Sequence, residues 1–243
     1  MSNLAAIVPF YNEEKFLRKS VKRLIDEKIF DQIILVDDCS NDSSSKIAYQ
    51  LASKYKFIIL IENIDQKGKG YSIKQGLNKV ETSHVIVHDA DLEYFPSDIV
   101  EMFEIAKDKN KSLVLGSRTI GTKERINLYK RNYIVQMIFS NIFSILNFKK
   151  ISDIATCYWL IETKILHKFS LKEQGFAIEV EVISKSIRNK LEIIEIPIKY
   201  HGRSYEDGKK IKFKDGLKIF SKIVILSRAF HFFDKSQIQQ TNR

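Results

Sequence analysis

Short runs of apolar residues alternate with helical patterns along the first half of the chain, and this alternation limits the folds open to it. The apolar runs are residues 5–8, 33–36, 57–61, 85–87 and 113–115. Between them, apolar residues recur at helical spacing, as at Leu17, Val21 and Leu24. Continuous apolar strands joined by helices are typical of a mostly parallel sheet covered on both faces. The sequence therefore predicts an α/β fold with a mostly parallel, twisted sheet flanked by helices.

The composition is that of one globular domain. Of the 243 residues, 44% are hydrophobic and 29% are charged, and the chain has only 9 Gly and 3 Pro. Such a chain can bury a large core and has little sequence that could serve as a linker. We therefore predict a single domain that spans residues 1–243.

Cysteine spacing and net charge bear on the compartment and the partners. Cys39 and Cys157 have neither the spacing of a zinc site nor that of a disulfide framework, which favours a reducing cytoplasm. The N-terminus has no signal-peptide pattern, and no apolar run reaches the ~18 residues of a transmembrane helix. The formal net charge of +10 favours anionic partners: nucleic acid, nucleotide phosphates or an acidic membrane surface.

Polar loops follow the predicted strands, and ligands of parallel sheets bind outside the carboxyl ends of the strands. The loop after residues 85–87 carries the most oxygen ligands, at Asp89, Asp91 and Glu93. A few carboxylates together with substrate phosphates are what Mg²⁺ prefers. Taken alone, this segment could equally be an acidic surface turn. Several acidic loops that meet at one edge of a sheet favour a binding site.

The common phosphate-binding motifs are missing from the sequence. No G-x-G-x-x-G follows the first predicted strand, and Gly68-Lys69-Gly70 lacks the spacing of a P-loop. Asp38 ends the second predicted strand, where it could contact a ligand or cap the next helix. The residues alone therefore argue against a dinucleotide-binding motif and leave the kind of nucleotide open.

Six segments in a fixed order give the chain a specific resemblance. They are VPFYNEE at 8–14, VDDCSND at 36–42, the Asn-x₃-Lys-Gly-Lys-Gly stretch at 63–70, HDADLEY at 88–94, GSR at 116–118 and GRSYEDGKKI at 202–211. With these segments the chain resembles an inverting glycosyltransferase of family 2 with the GT-A fold. It is most similar to enzymes that transfer a hexose from a nucleotide sugar to polyprenyl phosphate, the dolichol-phosphate mannose or glucose synthase type.

The resemblance implies a nucleotide-sugar half at about residues 1–120 and an acceptor and membrane-facing half at about residues 121–243. The residues implied to bind the nucleotide-sugar donor are Pro9, Tyr11, Glu13, Asp38, Lys69, Asp89, Arg203, Lys209 and Lys210. Asp89 and Asp91 are implied to hold Mg²⁺ or Mn²⁺ on the donor diphosphate, joined by Glu93 in the polyprenyl-phosphate branch.

The same resemblance assigns the acceptor side. Arg118 and Arg131 are implied to hold the acceptor phosphate. Residues 175–183 resemble a [DQ]-x-E motif that puts Glu179 and Glu181 near the acceptor, and Glu179 stands where relatives often have Asp or Gln. A phosphate monoester, with a second pKa of about 6, is already charged and needs guanidinium groups but no base. A sugar hydroxyl would need a carboxylate such as Glu181 to take its proton.

We therefore expect a metal-dependent transferase that moves a hexose from GDP-mannose or UDP-glucose, both donors remaining open, to a polyprenyl-phosphate carrier. The alternative is a family 2 enzyme that acts on a sugar hydroxyl in cell-surface polysaccharide assembly. A third hypothesis is a non-enzymatic binder of nucleic acid or nucleotide. The intact acidic and basic residues argue against a degenerate site. Nucleic acid is not an expected partner, because no nucleic-acid motif with interleaved aromatic residues is present.

Two later segments suggest contact with a membrane. Residues 134–148 are nearly all apolar, with a narrow polar stripe at Gln136, Ser140, Ser144 and Asn147. Such a helix is either buried in the core or half-embedded in a bilayer. Residues 213–233 mix lysines with large apolar side chains, which is typical of a basic amphipathic helix on an anionic membrane. We predict peripheral attachment to the cytoplasmic face of a membrane through C-terminal amphipathic helices.

Overall fold

A seven-stranded sheet forms the centre of the protein in the computed structural model, which describes residues 3–109, 111–126, 129–203 and 213–230. The strands are β1 (Leu4–Phe10), β2 (Gln32–Asp37), β3 (Ile58–Glu62), β4 (His84–Val87), β5 (Ser112–Ser117), β6 (Arg125–Ile126), β7 (Trp159–Glu162), β8 (Glu192–Pro197) and β9 (Tyr200–His201). Strands β6 and β9 pair in a small second sheet. Strands β1 and β4 are buried along their whole length, as their mainly apolar sequences predict.

The strand order of the large sheet is β3-β2-β1-β4-β7-β5-β8. All neighbouring strands are parallel except that β7 is antiparallel to both β4 and β5. This order confirms the predicted mostly parallel sheet. The sequence did not predict β7, whose first residue, Trp159, pairs with Leu115 of β5. Because β7 runs against its neighbours, the residues that precede Trp159 lie at the carboxyl ends of β4 and β5.

Helices cover the sheet. They are α1 (Leu17–Asp26), α2 (Ser44–Lys54), α3 (Lys69–Leu77), α4 (Ser97–Asp108), α5 (Lys130–Asn147), α6 (Thr163–Lys168), α7 (Ile178–Arg188) and α8 (Phe213–Ile225). In α1 the residues at helical spacing, Leu17, Val21 and Leu24, are fully buried, as their pattern predicts. The first four strands are each followed by a helix, so the loops between them open at one edge of the sheet.

Helix α5 turns its polar stripe inward and its apolar residues outward. Gln136, Ser140 and Asn147 are buried, whereas Ile134 and Ile145 are 55% and 72% exposed. Helix α8 packs on α5, with the rings of Phe139 and Phe220 5.8 Å apart, and adds further exposed apolar side chains. We call the following exposed residues of the two helices the apolar surface: Ile134, Val135, Met137, Ile138, Ile145, Leu217, Phe220 and Ile225. No helix among the described residues is long and apolar enough to cross a bilayer.

Candidate active site

The Asp38 carboxylate organises the loop that leads into α3. It accepts hydrogen bonds from the Lys67 and Gly68 backbone N–H groups at 3.0 and 2.8 Å and from Asn63 Nδ2 at 2.9 Å. Asp38 is buried, and its oxygens are used by the protein's own chain. The structure therefore places this predicted nucleoside ligand behind the loop that carries Lys69, and its observed role is to fix that loop.

The glycines of the Gly-Lys-Gly segment lie where its backbone approaches the backbone at residues 173–175 closely. A Cβ at Gly68 would lie 2.7 Å from the Gln174 carbonyl oxygen, and the residue has φ +99°. A Cβ at Gly70 would lie 2.7 Å from the Glu173 carbonyl oxygen. Only glycine can adopt this positive φ and also leave room for the Gln174 carbonyl oxygen at Gly68. The segment thereby packs against the chain that leads into α7, and this brings Lys69 next to α7.

Lys69 links two carboxylates at the centre of the rim. Its Nζ lies 2.9 Å from both oxygens of Asp89 and 2.8 Å from Glu179 Oε1. Burial opposes the charge of Lys69, but Asp89 and then Glu179 outweigh it and raise its pKa well above the ordinary value. Burial opposes ionisation of Asp89 as well, and Lys69 nonetheless lowers the pKa of Asp89. The structure thus brings together two predicted donor residues, Lys69 and Asp89, with Glu179 as a third member.

Asp91 carries unbalanced negative charge. Burial, then the carboxylates of Glu93 and Asp89, raise its pKa to about 8, although Arg203 lies 3.8 Å away. Glu93 itself accepts hydrogen bonds from the Tyr200 hydroxyl at 2.6 Å and from the Arg203 backbone N–H at 2.9 Å. Glu93 is therefore directed to β9 and to Arg203 just after it, while Asp91 feels the negative charge of both Glu93 and Asp89.

The predicted metal ligands are near one another but do not form a set of three. Within the described part of the chain, no three His, Cys, Asp or Glu side chains are grouped so that they could hold a metal ion. In this arrangement Lys69 is paired with Asp89, and the Tyr200 hydroxyl donates to Glu93. The residues still fit a divalent cation, because Asp89 and Asp91 offer carboxylate oxygens and a cation would relieve the charge that raises the pKa of Asp91.

Arg203 pairs with Glu13 at this rim, although the two residues are 190 positions apart in the chain. Its Nη1 and Nη2 donate to Glu13 Oε2 and Oε1, both at 2.9 Å. Burial disfavours its charge, but Glu13 and then Asp91 raise the pKa of Arg203. Two other predicted donor residues precede Glu13 in the chain: Pro9 is buried in β1, and Tyr11 follows β1 and is partly exposed. Lys209 and Lys210, predicted to close over the donor phosphates, lie outside the described residues.

Arg118, predicted to hold the acceptor phosphate, is already paired. Its Nε and Nη2 donate to the two oxygens of Asp153 at 2.7 and 2.8 Å, and its guanidinium lies 4.9 Å from the centre of the Tyr200 ring. Asp153 is fully buried, and Gln136 Nε2 donates to it at 2.9 Å. Arg131 is exposed in the first turn of α5, and no ion pair joins it to the described residues. The structure therefore does not combine Arg118 and Arg131 into one ion-pair network.

Glu181, predicted to be catalytic, is also engaged. Its carboxylate accepts the backbone N–H groups of Lys172 at 2.9 Å and Glu173 at 2.8 Å and pairs with Lys185 at 2.7 Å. It is 2% exposed. Glu181 is therefore not placed as a free base. It instead holds the segment that Gly68 and Gly70 pack against. Of the two glutamates left open by the sequence, the structure brings Glu179 to Lys69 and Asp89.

Sequence reasoning missed Asp153, and it placed Gln136 in a polar stripe without predicting its hydrogen bond to Asp153. Both side chains are polar and buried, and Asp153 lies in a loop that no sequence motif marks. Asp153 carries no motif of its own, and its role depends on Arg118, 35 residues earlier. The available signal was a lone acid in a short stretch bounded by Ile151 and Ile154.

Comparison with known proteins identifies the family. Residues 5–169 match the model described as glycosyl transferase family 2, and they contain Asp38, Lys69, Asp89, Asp91 and Arg118. The chain belongs to glycosyl transferase family 2. It is therefore a glycosyltransferase, as the resemblance predicted.

Relatives of this family 2 chain include enzymes named for transfer to dolichyl phosphate. It is 28% identical over 239 residues to the UDP-N-acetylglucosamine–dolichyl-phosphate N-acetylglucosaminyltransferase of Methanococcus voltae, covering 90% of this chain and 94% of that one. It is 26% identical over 216 residues to the dolichol-phosphate mannosyltransferase of Pyrococcus furiosus, covering 86% of this chain but 60% of that longer one. It is 23% identical over 252 residues to the dolichyl-phosphate beta-glucosyltransferase of Saccharomyces cerevisiae, covering 93% and 75%.

Solved structures agree on the fold. The chain superposes on glucosyl-3-phosphoglycerate synthase from Mycobacterium tuberculosis, in complex with Mn²⁺, UDP-glucose and phosphoglyceric acid, with a TM-score of 0.70. The two are 14% identical, and the match covers 93% of this chain and 79% of the synthase. The predicted GT-A fold is confirmed.

Proposed function

We propose that this glycosyltransferase moves a hexose from a nucleotide sugar to a polyprenyl-phosphate carrier, with inversion and with a divalent metal. The observation that carries the proposal is that both carboxylates expected near the acceptor, Glu179 and Glu181, already have partners. Glu179 is paired with Lys69 and Glu181 with Lys185 and two backbone N–H groups, so neither is placed as a free base. A sugar hydroxyl needs such a base, whereas a phosphate monoester does not. Three relatives named for dolichyl-phosphate transfer support the same choice.

The donor side of the proposal uses the rim residues. Asp89 and Asp91 would hold Mg²⁺ or Mn²⁺, which, when bound, stabilises the negative charge on the departing nucleoside diphosphate. Arg203, held by Glu13 beside Asp91, offers a positive charge at the same place. Lys69 keeps Asp89 ionised and in position. These groups stabilise the charge that develops as the bond between sugar and phosphate breaks.

The acceptor side of the proposal includes a membrane. Helix α5 hides Gln136, Ser140 and Asn147 and exposes isoleucines, the reverse of the arrangement expected for a helix facing water. Helix α8 adds the exposed lysines Lys214 and Lys218 beside its apolar residues. Apolar side chains with neighbouring lysines favour peripheral binding to an anionic bilayer. A polyprenyl carrier would present its phosphate at that surface.

The test is transfer of labelled sugar from GDP-mannose, UDP-glucose or UDP-N-acetylglucosamine to polyprenyl phosphate, measured as label extracted into organic solvent. We expect product with one donor, loss of product with EDTA, and a rate at least about 100-fold lower for Asp91→Asn. Simple sugars offered as acceptors should give no product. Label that enters sugar acceptors but never the organic phase would overturn the proposal.

A further inference from the structure

Glu93 ties the acidic loop after β4 to the β9 segment, residues 200–203. Its Oε2 accepts a hydrogen bond from the Tyr200 hydroxyl at 2.6 Å, and its Oε1 accepts one from the Arg203 backbone N–H at 2.9 Å. Its backbone carbonyl accepts the His201 backbone N–H at 2.9 Å. The Glu93 side chain is buried, so these hydrogen bonds are shielded from water. One residue of the acidic loop thus holds the whole β9 segment.

The Tyr200 hydroxyl is fixed in place by the surroundings of its ring. Tyr200 is buried, and its ring lies 5.4 Å from the ring of Tyr94, edge to face, and 4.9 Å from the guanidinium of Arg118. The Tyr200 backbone N–H donates to the Glu124 carbonyl at 3.1 Å. A tyrosine hydroxyl is protonated at neutral pH and bonds strongly to a carboxylate. Tyr200 therefore offers Glu93 a donor whose position is set by packing.

Arg203 is held at both of its ends. Its backbone N–H is bound to Glu93, and its guanidinium donates to both oxygens of Glu13 at 2.9 Å. The guanidinium lies 3.8 Å from the Asp91 carboxylate. A long side chain loses conformational entropy when it is ordered, and a fixed backbone reduces the freedom that remains to be lost. The bond to Glu93 therefore helps to keep the Arg203 charge beside Asp91.

The two donors on Glu93 make it poorly suited to a metal ion. A divalent cation would have to share or replace two hydrogen bonds, and a buried donor that loses its acceptor is destabilising. Asp91 differs, because a cation there would relieve the repulsion from Glu93 and Asp89. The surroundings therefore give the two carboxylates different tasks. Asp91 fits a cation, and Glu93 fits the β9 segment.

We propose that Glu93 is a positioning residue: together with the Tyr200 hydroxyl it holds Arg203 at the site of the donor diphosphate, and it is not a ligand of the metal. This inference rests on the donor side of the proposed function, in which Arg203 stabilises the departing diphosphate. It gives a role to Tyr200, which none of the six sequence segments contains, and it removes Glu93 from the metal ligands that the resemblance implied.

Amide hydrogen exchange, followed by NMR, tests this link in the absence of any ligand. Tyr200→Phe keeps the ring and removes only the hydroxyl, and the Arg203 N–H should then exchange about tenfold faster. Glu93→Ala removes the acceptor itself and should speed exchange further. Tyr49→Phe, at an exposed position on α2, is the matched control and should exchange at the wild-type rate. An Arg203 N–H that keeps the wild-type rate in both Tyr200→Phe and Glu93→Ala would overturn the inference.

Nucleotide binding shows whether Glu93 acts through Arg203 or through the metal. UDP and GDP are titrated in the presence of Mn²⁺ by isothermal titration calorimetry. Glu93→Ala and Arg203→Gln should each weaken binding about tenfold, and the double variant should bind no more weakly than Arg203→Gln alone. Glu93→Gln keeps one acceptor oxygen and should restore most of the affinity, which also serves if Glu93→Ala does not fold.

The metal dependence of the same binding gives the opposing result. At saturating nucleotide, Tyr200→Phe and Glu93→Gln should leave the Mn²⁺ concentration for half-maximal binding within about threefold of the wild type, because neither removes a metal ligand. A rise of about tenfold or more in both variants would contradict the inference. So would effects of Glu93→Ala and Arg203→Gln that multiply in the double variant.

Transfer assays separate this inference from the proposed function. A wild type that transfers sugar to polyprenyl phosphate, while Glu93 and Arg203 act independently on nucleotide binding, would overturn the inference alone. A wild type in which Glu93 acts through Arg203, but which transfers no sugar to any polyprenyl phosphate, would support the inference and overturn the proposed function.

Discussion

His88 should make the free energy of unfolding depend on pH by a calculable amount. Its ring is 1% exposed, with Nε2 2.9 Å from the Ser20 hydroxyl and Nδ1 2.8 Å from the Tyr158 hydroxyl. Burial lowers the pKa of His88 from 6.5 to about 4. The folded protein therefore keeps this ring neutral at pH values where the unfolded chain protonates it.

The charged groups around the ring do not reverse this shift. Asp89 favours the protonated ring, while Arg23 and Lys69 oppose it, and burial remains the largest cause. As the pH falls below 6.5, the unfolded state binds a proton that the folded state does not. The free energy of unfolding then falls by up to about 1.4 kcal/mol per pH unit. Down to pH 4 the loss due to His88 is about 3 kcal/mol, and below pH 4 it no longer grows.

Urea unfolding followed by tryptophan fluorescence measures this loss, because Trp159 is the single tryptophan and is fully buried. The wild type and His88→Gln are compared in EDTA from about pH 7.5 to pH 4. Other groups titrate in both proteins, so the difference between their unfolding free energies should change by about 3 kcal/mol in favour of the variant as the pH falls. The matched control is His167→Gln, an exposed position on α6. A difference that stays constant over this range would refute the reasoning.

Three further outcomes follow from particular contacts. Asp153→Ala leaves Arg118 buried without its counter-charge and should lower the free energy of unfolding by about 3–5 kcal/mol in urea titration; a loss under about 1 kcal/mol would contradict the pairing. Gly68→Ala should cost about 2 kcal/mol, whereas Gly175→Ala, whose Cβ would meet nothing within 4 Å, should cost less than about 1 kcal/mol; equal costs would contradict the close approach. Ile138→Glu should cut flotation with anionic vesicles at least about fivefold at unchanged stability, and undiminished flotation would exclude the apolar surface.

The large sheet could be predicted from local patterns because each buried parallel strand is a continuous apolar run. Strand β7 was not predicted, since nothing within Trp159–Glu162 says that it inserts antiparallel between β4 and β5. The positions of the acidic residues at the strand ends were also predictable. Their partners were not, because the ion pair between Glu13 and Arg203 joins residues 190 positions apart.

Sequence order alone determined which residues follow the parallel strands to the rim of the sheet, because each parallel strand delivers its next residues to the same edge. It also determined the family, because the six motifs are recognised by their order and spacing along the chain and need no knowledge of three-dimensional contacts. Only the tertiary structure decided which charges are already neutralised. From the sequence, Arg118 and Glu181 are equally plausible substrate ligands. In the folded chain Arg118 is paired with Asp153, and Glu181 accepts the Lys172 backbone N–H. Electrostatic pairing depends on distance in space, and that distance is set by packing between elements far apart in the chain.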